Sequence, residues 1–184
     1  MKKIMFNDKY GLTQAVLEGR KTMTRRIVPE KQLYYIRRHF RGLAVMEAPF
    51  KYGEVAAVAQ SYKEIHEKEN ISPIEMINRD RYEKSAGWNN KMFVKASLMY
   101  HHIRITNVRV ERLQDISDED CLREGIIEDA PGLQFSFPTN IGYCGQYPFD
   151  TPRSAFAALI DKVSGKGIWN RNPWVFVYEF ELVK

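Results

Sequence analysis

Cysteine is nearly absent from this chain of 184 residues. Cys121 and Cys144 are the only two, they match no metal-ligand spacing, and they make no disulfide framework. A reducing, cytoplasmic setting fits this better than secretion. Long apolar runs are missing too: Val55 to Ala59 is far too short to span a bilayer, so no membrane partner is expected. Met1-Lys2-Lys3 is basic, but only a short strand-like segment follows, so no secretory signal is expected. No internal repeat or linker divides the chain, and one domain over 1–184 is the default. His101 and His102 are adjacent and would point to opposite faces of a strand, with no acid or thiol at ligand spacing, so neither a metal nor another cofactor is expected.

What is present is a core and a surplus of positive charge. The chain is 44% hydrophobic, with three Trp, ten Tyr and ten Phe, enough apolar material to fold. A net charge of +5 suits an anionic partner. The charge is concentrated in Gly19-Arg20-Lys21-Thr22-Met23-Thr24-Arg25-Arg26, which packs four cations, two hydroxyls and a leading glycine together. The plain reading is a solvated basic turn between a helix and a strand.

The periodicity around it is informative. Lys3 to Asn7 reads as a short strand and Tyr10 to Glu18 as a helix, with Leu12, Ala15 and Val16 on one face and Gly19 at its C′ position. If the chain then runs extended, Lys21, Met23 and Arg25 share one face, and Thr22, Thr24 and Arg26 the other. Gln32 to Gly42 interleaves Tyr34, Tyr35 and Phe40 with Arg37, Arg38 and Arg41. That composition suits either an amphipathic element or stacking on single-stranded nucleic acid. Val55 to Gln60 reads as a closely packed strand. About 61–91 reads as a charged insertion, with His66 exposed and a helix starting at Ser72-Pro73. Lys91 to Arg112 carries the strongest strand signal, with its alternation slipping by one at Asn107. Ser117 is the natural N-cap of a short helix that ends at Glu124-Gly125. An acid at that end opposes the helix dipole, which marks Glu124 for another role. About 128–152 reads as a long irregular loop, Ser154 to Val163 as a helix, and Val175 to Val183 as the last strand. The fold class expected is α+β, a curved sheet or barrel with helices at its margins.

Four separated stretches together resemble the ASCH domain family of the PUA-like superfamily. They are Gly19 to Arg26, the Gly53-Glu54 turn, Leu113 to Ile126, and Trp169 with Asn172-Pro173-Trp174-Val175, the last as in phage-like members. The resemblance implies a small PUA-like β-barrel with flanking helices, here with two elaborations, and a cleft for RNA or a nucleotide-like ligand. One member type removes the acetyl group of N4-acetylcytidine. Its Lys-x-x-Thr spacing falls on Lys21 and Thr24, and its glutamate falls by position on Glu124. The strand after the second turn departs from the family pattern, with Ala57, Ala59 and Gln60 where charged and aromatic residues are common.

Two functions follow from the resemblance. The first is binding of RNA, another single strand or a modified nucleoside through Arg20, Lys21, Thr22, Arg25, Arg26, Gln60, Trp169 and Asn172, with no cofactor. The alternative is amide hydrolysis, with Lys21 as base, Thr24 as nucleophile and Glu124 as acid.

Overall fold

A computed structural model describes residues 1–67, 81–138 and 149–183. They form a mixed α+β fold around a five-stranded mixed sheet. Its strands are β1 (Lys2–Ile4), β2 (Met23–Ile27), β3 (Val55–Val58), β4 (His102–Arg112) and β7 (Trp174–Val183). The hydrogen-bonded order is β1-β3-β4-β7-β2. Among the described residues this order is open, with β1 and β2 at its ends, and no pairing closes it into the expected barrel. A separate hairpin pairs β5 (Ile127–Ala130) with β6 (Gln134–Ser136). Part of the expected irregular loop is therefore regular; residues 139–148 lie outside the described residues, as does the helix expected to start at Ser72. No described helix is long and apolar enough to cross a membrane.

The chain gathers into two compact units. The first comprises Met1–Phe6, Val55–Ile103 and Val183–Lys184. Here β1 pairs in parallel with β3, Lys3 opposite Ala57 and Ile4 opposite Val58. Ala56 to Ala59 are all fully buried, so their small side chains serve close approach on both faces. Ala57, Ala59, Ile65, Val94 and Met99 form the core of this unit. Helix α4 (Tyr62–His66) starts on a capping box, with Ser61 Oγ accepting from the Glu64 amide.

Two expectations fail in this unit. His66 is buried rather than exposed, because its ring lies beside Tyr82 and stacks with Trp88, at centroid distances of 5.2 and 6.2 Å. The strand expected from Lys91 begins only at His102. Lys91–Phe93 and Ala96–Leu98 are short 3-10 turns, and carbonyls at and just after the first serve an ammonium group instead of a neighbouring strand. Lys3 Nζ donates to the carbonyls of Lys91, Met92 and Val94, and Lys91 Nζ donates to that of Phe6.

The second unit comprises Asn7–Glu54 and Arg104–Leu182. Helix α1 (Leu12–Leu17) buries Leu12, Ala15 and Val16, as the spacing requires, and ends at Glu18. Gly19 follows at φ +75°, where its amide donates to Val16 O while the Lys21 amide reaches back to Ala15 O. Helices α2 (Glu30–Arg37) and α3 (Arg41–Met46) occupy the basic, aromatic stretch. β2 runs antiparallel to β7, pairing Met23 with Glu179, Thr24 with Tyr178 and Arg26 with Phe176. Along β4, Ile103 and Ile105 are fully buried, Thr106 and Asn107 both face out, and Val110 turns in again, which is the slip of phase read at Asn107. Helix α5 (Asp118–Arg123) is capped by Ser117, whose hydroxyl accepts from the Asp120 amide. Helix α6 (Pro152–Ser164) has Thr151 as N-cap and Pro152 in its first turn, and buries Phe156, Leu159 and Ile160. Helix α7 (Ile168–Arg171) hands the chain to β7.

Candidate functional site

The basic motif sits where α1, the end of α5 and β7 meet. Backbone hydrogen bonds hold it on three sides: Lys21 N to Ala15 O, Thr22 N to Arg123 O, and Phe180 N to Thr22 O. Lys21 thereby projects onto the C-terminal end of α5. Its Nζ donates to the Glu124 carbonyl at 2.6 Å and to the Glu124 carboxylate at 2.5 Å. Only 2% of the Lys21 surface and 4% of the Glu124 surface is exposed, so this pair is shut away from water. The acid that opposes the dipole of α5 is thus answered by an ammonium group that also takes up the helix-terminal carbonyl.

Gly125 makes this approach fit. Its φ is +104°, and a Cβ there would stand 3.3 Å from Leu12 Cδ2 and 3.6 Å from Lys21 Cδ. Any other residue would strain the backbone and crowd Leu12.

The expected alternation holds along β2. Arg25 and Met23 share a face, and Arg25 Nη1 contacts both Met23 Sδ and Glu124 Oε1, each at 3.2 Å. Its other nitrogens donate to Glu111 Oε1 and Asp120 Oδ2. Arg109 in turn reaches Asp120, Glu111 and Glu179, and Arg123 reaches Glu179 and Asp120. Four cations (Lys21, Arg25, Arg109, Arg123) stand against four carboxylates (Glu111, Asp120, Glu124, Glu179). The network is closed in charge. It runs from the buried Lys21–Glu124 pair to Arg109 and Arg123, whose side chains are about a third exposed.

Burial pushes the Lys21 ammonium below its ordinary value; Glu124 opposes this, and Arg26 and Arg25 add to it. Arg26 is likewise pushed down by burial, against the pull of Glu124 and Tyr178. Arg26 shares Thr24's face of β2, yet its charge acts on both Lys21 and Glu124. Thr24 is 5% exposed and directly opposite Tyr178. The Tyr178 hydroxyl is fully buried; burial pushes its pKa up to about 12, and the Phe50 amide and the Arg26 charge pull against that. Its residue stands opposite Thr24 and its hydroxyl feels the Arg26 charge, which gives this face of β2 a donor that the motif alone does not reveal.

No family profile, curated protein or solved structure matches the chain.

The other expected residues are employed as follows. Arg20 is exposed and paired with Glu18, and Thr22 Oγ1 accepts from Arg123. Gln60 belongs to the first unit, where its Oε1 accepts from the Tyr100 and His101 amides. Trp169 packs edge-on against Phe156 and lies under the Arg153 guanidinium. Asn172 takes a left-handed conformation, with φ 44°, and its side chain accepts from the Gln114 amide. These last three hold the fold together, and none is brought to Lys21 by a contact seen here. Cys121 is fully buried, and burial pushes its thiol up to about 12, so it is an inert thiol at neutral pH. Among the described residues no three His, Cys, Asp or Glu side chains are grouped to hold a metal.

Proposed function

We propose that this chain hydrolyses an N-acylated nucleobase or nucleoside, in the manner of the ASCH amidohydrolases its sequence resembles, and that the five-stranded sheet is a PUA-like scaffold for that reaction. The observation that carries the reading is the buried 2.5 Å contact between Lys21 and Glu124. An ammonium group pressed down by burial against a carboxylate can pass its proton across that contact. The result is a neutral amine and a neutral acid side by side, which are the base and the acid that amide cleavage requires.

Lys21 and Thr24 lie on opposite parities of this segment, so in this reading substrate binding must bring the Lys21 amine within reach of Thr24 Oγ1. There it takes the hydroxyl proton as Oγ1 attacks the acyl carbonyl carbon. Arg26 and the Tyr178 hydroxyl hold the resulting oxyanion. Glu124 gives its proton to the departing exocyclic nitrogen as the C–N bond breaks, leaving an acyl ester on Thr24. Water, deprotonated by Glu124, then cleaves that ester, and the proton left on Lys21 returns to Thr24 Oγ1. The products are a carboxylic acid and the free nucleobase amine.

Binding of RNA phosphates by the same motif is the weaker reading. Lys21 and Arg25 already meet carboxylates, and a phosphate would have to displace Glu124, Glu111 and Asp120 from them. The test is turnover of N4-acetylcytidine, followed as release of cytidine. Wild type is expected to turn over, and Thr24→Ala to lose at least about a hundredfold. Removing one member of a buried ion pair costs about 3–5 kcal/mol, so Lys21→Ala is scored only with its circular dichroism and melting curve beside it. Absence of turnover by folded wild type on N4-acetylcytidine and on longer N4-acylcytidines would sink the proposal.

A further inference from the structure

We infer that α2, α3 and the start of β7 form a docking face for single-stranded nucleic acid, separate from the Lys21–Glu124 site and independent of whether that site hydrolyses anything.

Elsewhere in this unit the exposed Arg20 and Arg104 sit on Glu18 and Glu181, and Arg153 lies over Trp169. Three arginines of this face gather on two aromatic rings, and of the face's described arginines only Arg37 pairs with an acid. Arg41 and Arg112 place their guanidinium carbons 4.8 and 4.5 Å from the centre of the Trp174 ring, and Arg38 lies 4.6 Å from that of Tyr34. Among the described residues, neither Arg38 nor Arg41 has a carboxylate partner. Their charge is available to a phosphate, and each is already stacked as a guanidinium stacks beside a nucleobase.

A cavity of about 340 Å³ opens beside Trp174. Val28, Leu33, Pro173 and Trp174 give it apolar walls, and Arg37 and Arg112 stand at its margin, with Glu30 on Arg37 at 3.1 Å. That size lies at the small end of ligand pockets and suits one base. Tyr34 and Phe40, each more than half exposed, extend the stacking surface beyond the cavity.

The backbone holds these groups in place. His39 takes φ +61° between α2 and α3, a conformation rare for residues other than glycine, and so turns Arg41 back toward Trp174. Gln32 Nε2 ties α2 to the Glu47 carbonyl at the end of α3. Guanidinium groups alternating with aromatic faces around a base-sized cavity are the equipment of a sequence-tolerant single-strand reader. Phe40, Leu43 and Met46 are also exposed here, which an anionic membrane would favour. The Trp174 ring, met by two guanidinium groups, and its cavity favour a base.

The experiment is fluorescence anisotropy of the full chain with labelled single strands of about twelve nucleotides, oligo-U and oligo-dT, beside the matching duplex and vesicles of phosphatidylserine and phosphatidylcholine. Single strands are expected to bind, quench Trp fluorescence, and weaken about twentyfold between roughly 50 and 200 mM salt if three phosphates are neutralised. The RNA and DNA arms decide which sugar is preferred. Arg38→Glu with Arg41→Glu, both exposed and outside the ion network, is expected to weaken binding at least tenfold while leaving the melting temperature and any turnover of N4-acetylcytidine unchanged. Unaltered affinity in that double variant, duplex bound as tightly as single strand, or binding to vesicles alone would overturn the inference.

Discussion

At the scale of single residues, Tyr178 is the most informative side chain. Its hydroxyl is buried near the Phe50 amide and Arg26, on the residue opposite Thr24. If it were only a packing residue, Tyr178→Phe would change stability by no more than about 1 kcal/mol with no other effect. The proposed chemistry adds a second outcome. The same variant should lose about a hundredfold in turnover of N4-acetylcytidine, because an oxyanion donor is gone. A melting curve and a rate on one preparation separate the two roles.

Residue identity was partly legible in advance. The odd placement of Glu124 could be read from its helix end alone, and Cys121 read correctly as a buried thiol. Lys21 and Glu124 lie 103 positions apart, and nothing local in the sequence says that they touch. The roles of Gln60 and Asn172 were hidden for the same reason: each serves a backbone amide far away along the chain. Tyr178 sits in an apolar strand run and gives no local sign that its hydroxyl faces Arg26.

At the scale of elements, local signals fared better. Ser117, Gly19 and the slipped alternation of β4 all depend on residues within a turn or two of each other, and all stand as read. The stretch from Lys91 misled because its carbonyls find Lys3 rather than a neighbouring strand. His66 misled because Tyr82 and Trp88 cover it.

One contact between elements gives a pH prediction. The Asp161 carboxylate near the end of α6 accepts from the Gly167 and Trp169 amides, and those bonds hold it below the usual carboxylate range. A lowered folded-state value means that its stabilisation is present above 3.8 and is lost as pH falls through the folded value. Asp161→Asn should therefore melt lower than wild type at pH 7. The gap should narrow as pH falls below 4, when wild type loses the same interaction. A gap that stays constant would mean the carboxylate charge does not hold α7.

For the molecule as a whole, positive charge is divided between two kinds of place. In the second unit, one set of cations is matched by carboxylates and partly buried, while Arg38 and Arg41 lie open on aromatic rings. Salt screens the two unequally. Raising sodium chloride to about 0.5 M should move the melting temperature by no more than a few degrees while abolishing oligonucleotide binding. A large drop in melting temperature would mean that the ion network is far wetter than its burial indicates.

β2 can also be read as a two-sided ruler. Counting along it, one parity leads to the carboxylates and the other to Tyr178, and its partner strand fixes the count residue by residue. Losing or gaining a single residue between Gly19 and Ile27 would exchange the two sets, sending Thr24 toward the carboxylates and Arg25 toward an uncharged hydroxyl. Such a lineage would keep its composition, its net charge and most of its apolar pattern, and would still lose both surfaces at once. Length, more than residue identity, is the quantity this segment cannot vary.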